Sequence, residues 1–143
     1  MKRVLIIEDQ VILSDLVCRI INDHAFLELA GRSNNGLEAL ELVKRENPDI
    51  VILDIGLPGM NGIEVLRQIK KENKSTYVLV FTALEKQQTI RSAIRGGADG
   101  FIGKNAPLEE LERALSMAES AQPYYSPPAL EAIREIMNHP EES

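Results

Sequence analysis

The sequence predicts an α/β protein with a parallel β-sheet that is covered by helices on both faces. Short, unbroken runs of aliphatic residues alternate along the chain with segments whose apolar residues recur at helical spacing. An unbroken run such as Ile50-Val51-Ile52-Leu53 indicates a strand buried on both faces, as in the middle of a parallel sheet. Five such strands alternating with five helices imply right-handed crossovers, which place helices on both sides of the sheet.

The composition is that of an ordinary globular protein of one domain. The 143 residues are 44% hydrophobic and 27% charged, which is sufficient for a sizeable core. The formal net charge of −6 argues against nucleic-acid binding by this chain alone, and no apolar run is long enough to span a membrane. Cys18 is the single cysteine, which excludes an internal disulfide. The short apolar run after Met1 does not resemble a signal peptide, so we expect a cytoplasmic protein.

Each element is bounded by a local signal. Pro48 ends one helix and Gly96-Gly97 another, while Asn34-Asn35-Gly36 marks a turn with an asparagine available as a helix cap. The predicted strands are residues 4–7, 27–32, 50–53, 77–81 and 100–102. The predicted helices are residues 10–23, 37–46, 62–72, 85–95 and 107–118, followed by a short C-terminal helix at 129–137.

The C-terminal part of the chain differs in composition from the rest. Residues 121–128 are rich in proline and resemble a linker. The helix after them carries Leu130, Ile133 and Met137 at amphipathic spacing, and Ser126 is available as its cap. We therefore expect residues 1–121 to form the main domain and residues 122–143 to be a linker with a short helix.

Polar side chains follow four of the five strands, at the point where each strand ends. They are Glu8 and Asp9 after the first strand, Asp54 after the third, Thr82 after the fourth and Lys104 after the fifth. In a parallel sheet these positions share one edge, where ligands of open α/β sheets bind. Three carboxylates close together repel one another, which favours a bound cation, and an all-oxygen cluster suits Mg²⁺. Taken alone, Asp54 fits an ordinary turn or helix cap equally well. Glu8, Asp9, Thr82 and Lys104 are each better explained singly as first-turn acids of a helix, a strand-end residue or an exposed loop lysine.

Together these residues resemble the receiver domain of two-component response regulators, over residues 3 to 120. The motifs that carry the resemblance are Glu8-Asp9, Asp54, Leu57-Pro58-Gly59-Met60-Asn61-Gly62, Thr82-Ala83, Gly97-Ala98-Asp99-Gly100-Phe101 and Lys104. The resemblance implies a flavodoxin-like, doubly wound sheet with strand order 2-1-3-4-5, an order for which a member of this family is a known example.

The resemblance also implies a role for each site residue. Asp54 is the expected phosphoacceptor, with Lys104 and Thr82 contacting phosphoryl oxygens, and Thr82 and Phe101 acting as the switch pair. The expected ligands of Mg²⁺ are Asp9, Asp54, the backbone carbonyl of Gly56, and Glu8 acting through water. The surfaces of the last two helices of the domain are the expected readout. The weakly amphipathic pattern of residues 85–95 is equally typical of a simply solvated helix.

Two departures from the family pattern refine the resemblance. Glu8 stands where an aspartate is commoner, and Lys104 is followed by Asn105-Ala106-Pro107 rather than directly by proline. The second feature resembles the NarL/FixJ-type group, whose members usually continue into a DNA-binding helix-turn-helix. No helix-turn-helix follows before Ser143, so we expect either the receiver half of a transcriptional regulator or a stand-alone receiver.

The implied partner is a sensor histidine kinase or a phosphotransfer protein, and the resemblance allows a homodimer on phosphorylation. The implied function is that of a phosphoacceptor switch rather than an enzyme. Two other classes fit less well, because Gly56 removes the Asp-x-Asp motif of a phosphohydrolase, and the loop after Glu8 lacks the glycines of a flavin or nucleotide carrier. An interaction module that is never phosphorylated remains the alternative.

Overall fold

The computed structural model describes residues 1–141, which form one parallel sheet between two layers of helices. The strands are β1 (Lys2–Ile7), β2 (Leu27–Ser33), β3 (Ile50–Leu53), β4 (Tyr77–Thr82), β5 (Gly100–Gly103) and β6 (Tyr124–Tyr125). The helices are α1 (Val11–Asp23), α2 (Ala39–Glu46), α3 (Gly62–Glu72), α4 (Gln87–Arg95), α5 (Leu108–Glu119) and α6 (Pro127–Asn138). The strand order β2-β1-β3-β4-β5-β6 confirms the predicted flavodoxin-like order and adds one strand to it.

The core consists of two apolar clusters, one on each face of the sheet. Alternate residues of β3 enter opposite clusters: Val51 and Leu53 join α2, α3, α4 and α6 on one face, and Ile50 and Ile52 join α1 and α5 on the other. This alternation follows from the two-residue repeat of a strand. All residues of β3 and β4 are buried, which confirms the prediction of central strands from their unbroken apolar runs.

The sixth strand lies in the segment that was predicted to be a linker, so the prediction of five strands was wrong. Tyr124 and Tyr125 pair in parallel with Gly100 and Phe101 of β5. A strand of two residues produces no periodic pattern, and its partners lie more than twenty residues earlier in the chain. The sequence alone therefore gave no signal for it.

The C-terminal helix is present, but it packs through a different face from the one that its large apolar residues indicated. Leu130 and Met137 are 53% and 74% exposed, whereas Ala129 and Ala132 are completely buried in the cluster that contains α4. Small side chains permit close approach of two helices, which explains why alanines form the contact. Ser126 precedes the helix as its N-cap residue, although its side chain makes no capping hydrogen bond.

The second helix begins two residues later than predicted. A turn of 3₁₀-helix, Gly36–Glu38, precedes α2, and the side chain of Asn35 accepts a hydrogen bond from the backbone of Leu37, as the predicted cap requires. Leu37 is 77% exposed, so the buried face of the helix is formed by Ala39, Leu42 and Val43 instead. None of the helices in the described part of the chain has the length and hydrophobicity needed to cross a lipid bilayer.

Candidate functional site

The polar residues predicted to share one sheet edge do converge there. Asp54 follows β3, Thr82 is the last residue of β4, and Lys104 follows β5, while Glu8 and Asp9 follow β1. The backbone ties these ends together, since the N–H of Asp54 donates to the carbonyl of Ile7 at 3.1 Å. The parallel pairing of the strands therefore brings five residues, separated by up to 96 positions in sequence, into one crevice.

Asp54 is the buried centre of this group, with only 5% of its surface exposed. Its Oδ1 accepts hydrogen bonds from the Thr82 hydroxyl and the Gly56 backbone N–H, both at 2.9 Å. Its Oδ2 accepts a hydrogen bond from Lys104 Nζ at 2.7 Å. Both carboxylate oxygens are thus held by donors, which fixes the orientation of the side chain and offsets the cost of burying its charge.

Lys104 joins the two buried carboxylates of the site. Its Nζ lies 2.9 Å from each oxygen of Glu8, with a hydrogen bond formed to Oε2. Burial of the ammonium opposes its protonation, but the hydrogen bonds to Asp54 and Glu8 outweigh burial, so the pKa of Lys104 is raised. For Glu8 burial dominates, and its pKa is raised despite the backbone hydrogen bond from Gln10 and the contact with Lys104.

The carboxylates of Glu8, Asp9 and Asp54 form a cluster that fits a divalent cation. One oxygen from each lies within 4.8 Å of the others, and Asp9 is exposed to solvent. Lys104 supplies a single positive charge against three carboxylates, which leaves the cluster strongly negative. In addition, Glu8 Oε1 is buried and accepts no hydrogen bond within residues 1–141, although Lys104 Nζ lies 2.9 Å from it as an ion pair. Hard oxygen ligands and uncompensated negative charge match the requirements of Mg²⁺.

Phe101 is not part of this crevice. It lies on β5 with its side chain completely buried in the apolar cluster that contains Ile90 and Ala93 of α4. Its strand nevertheless leads directly to Lys104, and β5 pairs with the end of β4 that carries Thr82. Phe101 is therefore connected to the site through the backbone of β5 and through the core.

Two residues at the site were not singled out from the sequence. The side chain of Gln10 accepts a hydrogen bond from Lys104 Nζ at 3.2 Å, so it helps to position the ammonium. The carboxylate of Glu85 occupies the space that a side chain at Gly103 would need. Neither could have been found from spacing, because glutamine and glutamate in loops are common and both contacts depend on the three-dimensional path of the loops.

Leu84 and Asp54 both lie close to Gly56. A Cβ atom added at Gly56 would lie 3.2 Å from Cγ and Cδ1 of Leu84 and 3.4 Å from Oδ1 of Asp54. The backbone N–H of Leu84 also donates to the Thr82 hydroxyl at 3.3 Å. An apolar side chain and a glycine therefore border the carboxylate where polar side chains would otherwise reach it.

Comparison with known proteins gives consistent matches. A family model, the response regulator receiver domain, matches residues 4–116. The nitrate/nitrite response regulator protein NarL of Escherichia coli strain K12 is 30% identical over 119 residues, which are 83% of this chain and 55% of that protein. The chemotaxis protein CheY of Halobacterium salinarum is 27% identical over 115 residues, which are 80% of this chain and 94% of that protein.

The fold gives the same result. A crystal structure of a two-component response regulator of the LuxR family from Aurantimonas sp. SI85-9A1 superimposes with a TM-score of 0.85 at 26% identity, covering 97% of this chain and 99% of that one. Several curated transcriptional regulators match this chain over only 55–65% of their own length, and they are consistent with the predicted NarL/FixJ-type group. Because the family model covers most of the sequence, the chain belongs to the family of response regulator receiver domains.

Proposed function

We propose that Asp54 accepts a phosphoryl group from a phosphohistidine of a sensor histidine kinase or phosphotransfer protein. The observation that carries the proposal is the arrangement around its buried carboxylate, where Thr82 and Lys104 each contact one oxygen. The carboxylate cluster of Glu8, Asp9 and Asp54 supports it, because it offers a cation site beside the acceptor. We propose the cytoplasm as the location of this transfer.

The proposed reaction is an in-line displacement at phosphorus. An oxygen of Asp54 forms the new O–P bond as the N–P bond to the histidine breaks, and the electron pair of that bond stays on the imidazole nitrogen. Lys104 and Thr82 then exchange their hydrogen bonds to Asp54 for bonds to phosphoryl oxygens. Their positions next to the acceptor favour this exchange because little movement is needed.

The acidic residues would hold Mg²⁺ at this site. Asp9 and Asp54 would bind it directly, Glu8 would act through water, and Gly56 would contribute its backbone carbonyl. When bound, the ion neutralises charge on the phosphoryl group and on the carboxylates. Lys104 supplies the remaining positive charge from its hydrogen-bonded position between Glu8 and Asp54.

The proposed output is control of transcription through the surfaces of α4 and α5. Thr82 is bonded to Asp54 and Phe101 is fully buried, so these two residues are placed to link the state of the site to β5 and α4. A phosphoryl group shifts the population between two packings only by its differential contacts. We also propose that residues 122–143 connect the receiver to a DNA-binding domain; within that segment, residues 142 and 143 lie outside the described residues. A homodimer formed on phosphorylation is part of the same proposal.

A second candidate is a stand-alone receiver that acts as an interaction module. The match to CheY of Halobacterium salinarum favours it, since this chain covers 94% of that protein. In this case the phosphorylated surface would bind a separate partner rather than a domain of the same chain. A module that is never phosphorylated would show the same fold and no chemistry at Asp54.

The test is phosphorylation of the full chain by a small phosphodonor in the presence of Mg²⁺, followed by intact mass spectrometry. We expect one phosphate per chain, and none when Mg²⁺ is removed by chelation. Asp54→Asn should accept none, whereas Asp49→Asn, which changes an aspartate outside the site, should accept one. Phosphorylation of Asp54→Asn to the level of the wild type would contradict the assignment. Absence of phosphorylation in both the wild type and Asp49→Asn would favour the unphosphorylated interaction module.

A further inference from the structure

The segment that follows α5 pairs with the edge of the sheet at β5. We refer to residues 122–138 as the tail. The backbone N–H of Ser126 donates to the carbonyl of Phe101 at 3.0 Å, and the hydroxyl of Tyr125 donates to the carbonyl of Ala98 at 3.0 Å. Strand β6 therefore continues the sheet beyond β5, and it holds the backbone of Phe101 from the outer side.

The helical part of the tail covers α4. Ala129 and Ala132 are completely buried in the same apolar cluster as Ile90 and Phe101. At the start of α4, the side-chain amide of Gln87 donates to the carbonyl of Pro128 at 2.9 Å. The face of α4 against which α6 packs is thus already occupied by a segment of the same chain, and it is neither solvated nor free for another partner.

The contact between the tail and α4 buries two polar side-chain atoms. The hydroxyl of Ser126 and the side-chain oxygen of Gln87 are buried at this contact, and neither has a hydrogen-bond partner within the described part of the chain. A buried polar atom without a partner opposes the contact that buries it.

The two elements that the tail contacts, α4 and β5, lie close in sequence to two of the site residues. Strand β5 contains Phe101 and is followed directly by Lys104, whose ammonium contacts Asp54. The loop before α4 follows Thr82, the last residue of β4, whose hydroxyl contacts the same carboxylate. The docked tail is thus compatible with the arrangement in which Thr82 and Lys104 both reach Asp54. It also restrains β5 and α4, which would have to move if Thr82 and Lys104 withdrew from that carboxylate.

We propose that the tail is an intramolecular ligand of the α4–β5 surface whose docking is positively coupled to the phosphoryl group on Asp54. This inference rests on the proposed function. Because coupling between two sites is reciprocal, a phosphoryl group that strengthens tail docking must itself be bound more tightly when the tail is docked. Any partner that uses this face of α4, including a second copy of the chain, has to displace the tail.

The test uses the full chain and beryllofluoride, a phosphoryl mimic, in excess Mg²⁺. Its affinity is measured by titration calorimetry for the wild type and for Ala132→Arg, which removes the buried contact of α6. The matched control is Leu130→Arg, which places the same charge on the exposed face of the same helix. We expect the affinity to fall about fivefold or more in Ala132→Arg, within the usual range for coupled sites, and to remain unchanged in Leu130→Arg.

Hydrogen exchange gives an independent measure of docking. In the wild type, exchange at the amides of residues 124–126 should slow when beryllofluoride is added. The degree of this protection should not depend on protein concentration. Tyr125→Phe removes only the hydroxyl bonded to Ala98 and provides a milder variant should Ala132→Arg not fold. Its affinity for beryllofluoride should fall by a smaller factor than that of Ala132→Arg.

The outcomes separate the two proposals. Beryllofluoride binding of equal affinity in the wild type, Ala132→Arg and Tyr125→Phe would overturn the coupling and leave the phosphoacceptor function intact. No binding to the wild type would contradict the proposed function and the coupling with it. Protection of the tail that increases with protein concentration would overturn the intramolecular contact, because it would indicate docking between copies.

Discussion

Nζ of Lys104 lies 2.7 Å from Oδ2 of Asp54, although the strands that these residues follow, β5 and β3, are separated in the sheet by β4. The end of β4 supplies Thr82, which donates to the other oxygen of the same carboxylate. The lysine also contacts Glu8, which is 3% exposed. One ammonium therefore compensates two buried carboxylates that come from different strands.

Removing this ammonium should destabilise the fold. In Lys104→Met the carboxylates of Glu8 and Asp54 stay buried without their cation, and breaking a buried pair in this way costs about 3 kcal/mol. The loss is measured by urea unfolding without Mg²⁺. Lys104→Met combined with Asp54→Asn should recover part of it, since one of the two carboxylates is gone. Equal stability of Lys104→Met and the wild type would show that the ion pairs contribute nothing.

Mg²⁺ should stabilise the protein. It relieves the repulsion among Glu8, Asp9 and Asp54, and a ligand that binds only the folded state adds about 1.4 kcal/mol for each tenfold excess over its dissociation constant. The melting temperature should therefore rise with Mg²⁺ concentration in the wild type.

Asp9→Ala provides the control for this prediction. It removes an exposed carboxylate of the cluster, so the rise in melting temperature with Mg²⁺ should largely disappear. Without metal, Asp9→Ala should be at least as stable as the wild type, because it removes like charge from the cluster. Asp54→Ala relieves the same repulsion but also loses the hydrogen bonds from Thr82 and Lys104, so it should be less stable than Asp9→Ala. A wild-type melting temperature that ignores Mg²⁺ would contradict the metal site.

The sequence predicted the sheet and the site because both depend on simple patterns. The apolar runs of β3 and β4 are continuous, and parallel strands place their carboxyl ends at one edge, which is where Asp54 and Thr82 meet. The tail was less accessible to prediction. Its buried helix face consists of Ala129 and Ala132, which carry little hydrophobic signal, whereas the larger Leu130 remains half exposed.

The details of the site also exceeded what the sequence could indicate. That Lys104 bridges Glu8 and Asp54 follows from the lengths and rotamers of three side chains in a crevice, not from their spacing. The contact of Gln10 with the same ammonium depends on the first turn of the loop after β1. The roles of Asp54, Thr82, Lys104 and the Mg²⁺ ligands stay predictions until the chemistry is measured.

The phosphorylated chain should lose its phosphate slowly by itself. Gly56 has no side chain and Leu84 is apolar, so neither can hold the attacking water in line or accept its proton, and Leu84 lies beside the Asp54 carboxylate. Leu84→Glu should accelerate decay of the phosphorylated chain in excess Mg²⁺, and about tenfold corresponds to 1.4 kcal/mol in the barrier. Decay is followed by the loss of phosphate from the intact chain.

Gly56→Asn provides the second arm of this experiment. A side chain at this position would contact Leu84, so the variant is best examined both alone and together with Leu84→Ala, which makes room for it. We expect faster decay in the double variant than in Leu84→Ala alone. If neither polar replacement accelerates decay, water positioning at these two residues does not set the lifetime.

The tail should make stability depend on alkaline pH through Tyr125. Burial, followed by the nearby charge of Asp99, raises the pKa of the Tyr125 hydroxyl in the folded state. The folded chain then retains a proton that the unfolded chain releases above about pH 10, so stability falls as the pH increases through that range. Urea unfolding from pH 8 to 11 should show a shallower decline in Tyr125→Phe than in the wild type. Parallel declines would contradict a buried, protonated Tyr125.

The central claim is that Asp54 is the residue that carries the phosphoryl group. Borohydride reduces an acyl phosphate and converts the modified aspartate to homoserine, which peptide mass spectrometry locates in the sequence. After treatment of the wild-type chain with a small phosphodonor and Mg²⁺, we expect homoserine at position 54 and unmodified aspartate at position 9. Homoserine at Asp9 or at another carboxylate, with Asp54 unchanged, would contradict the account.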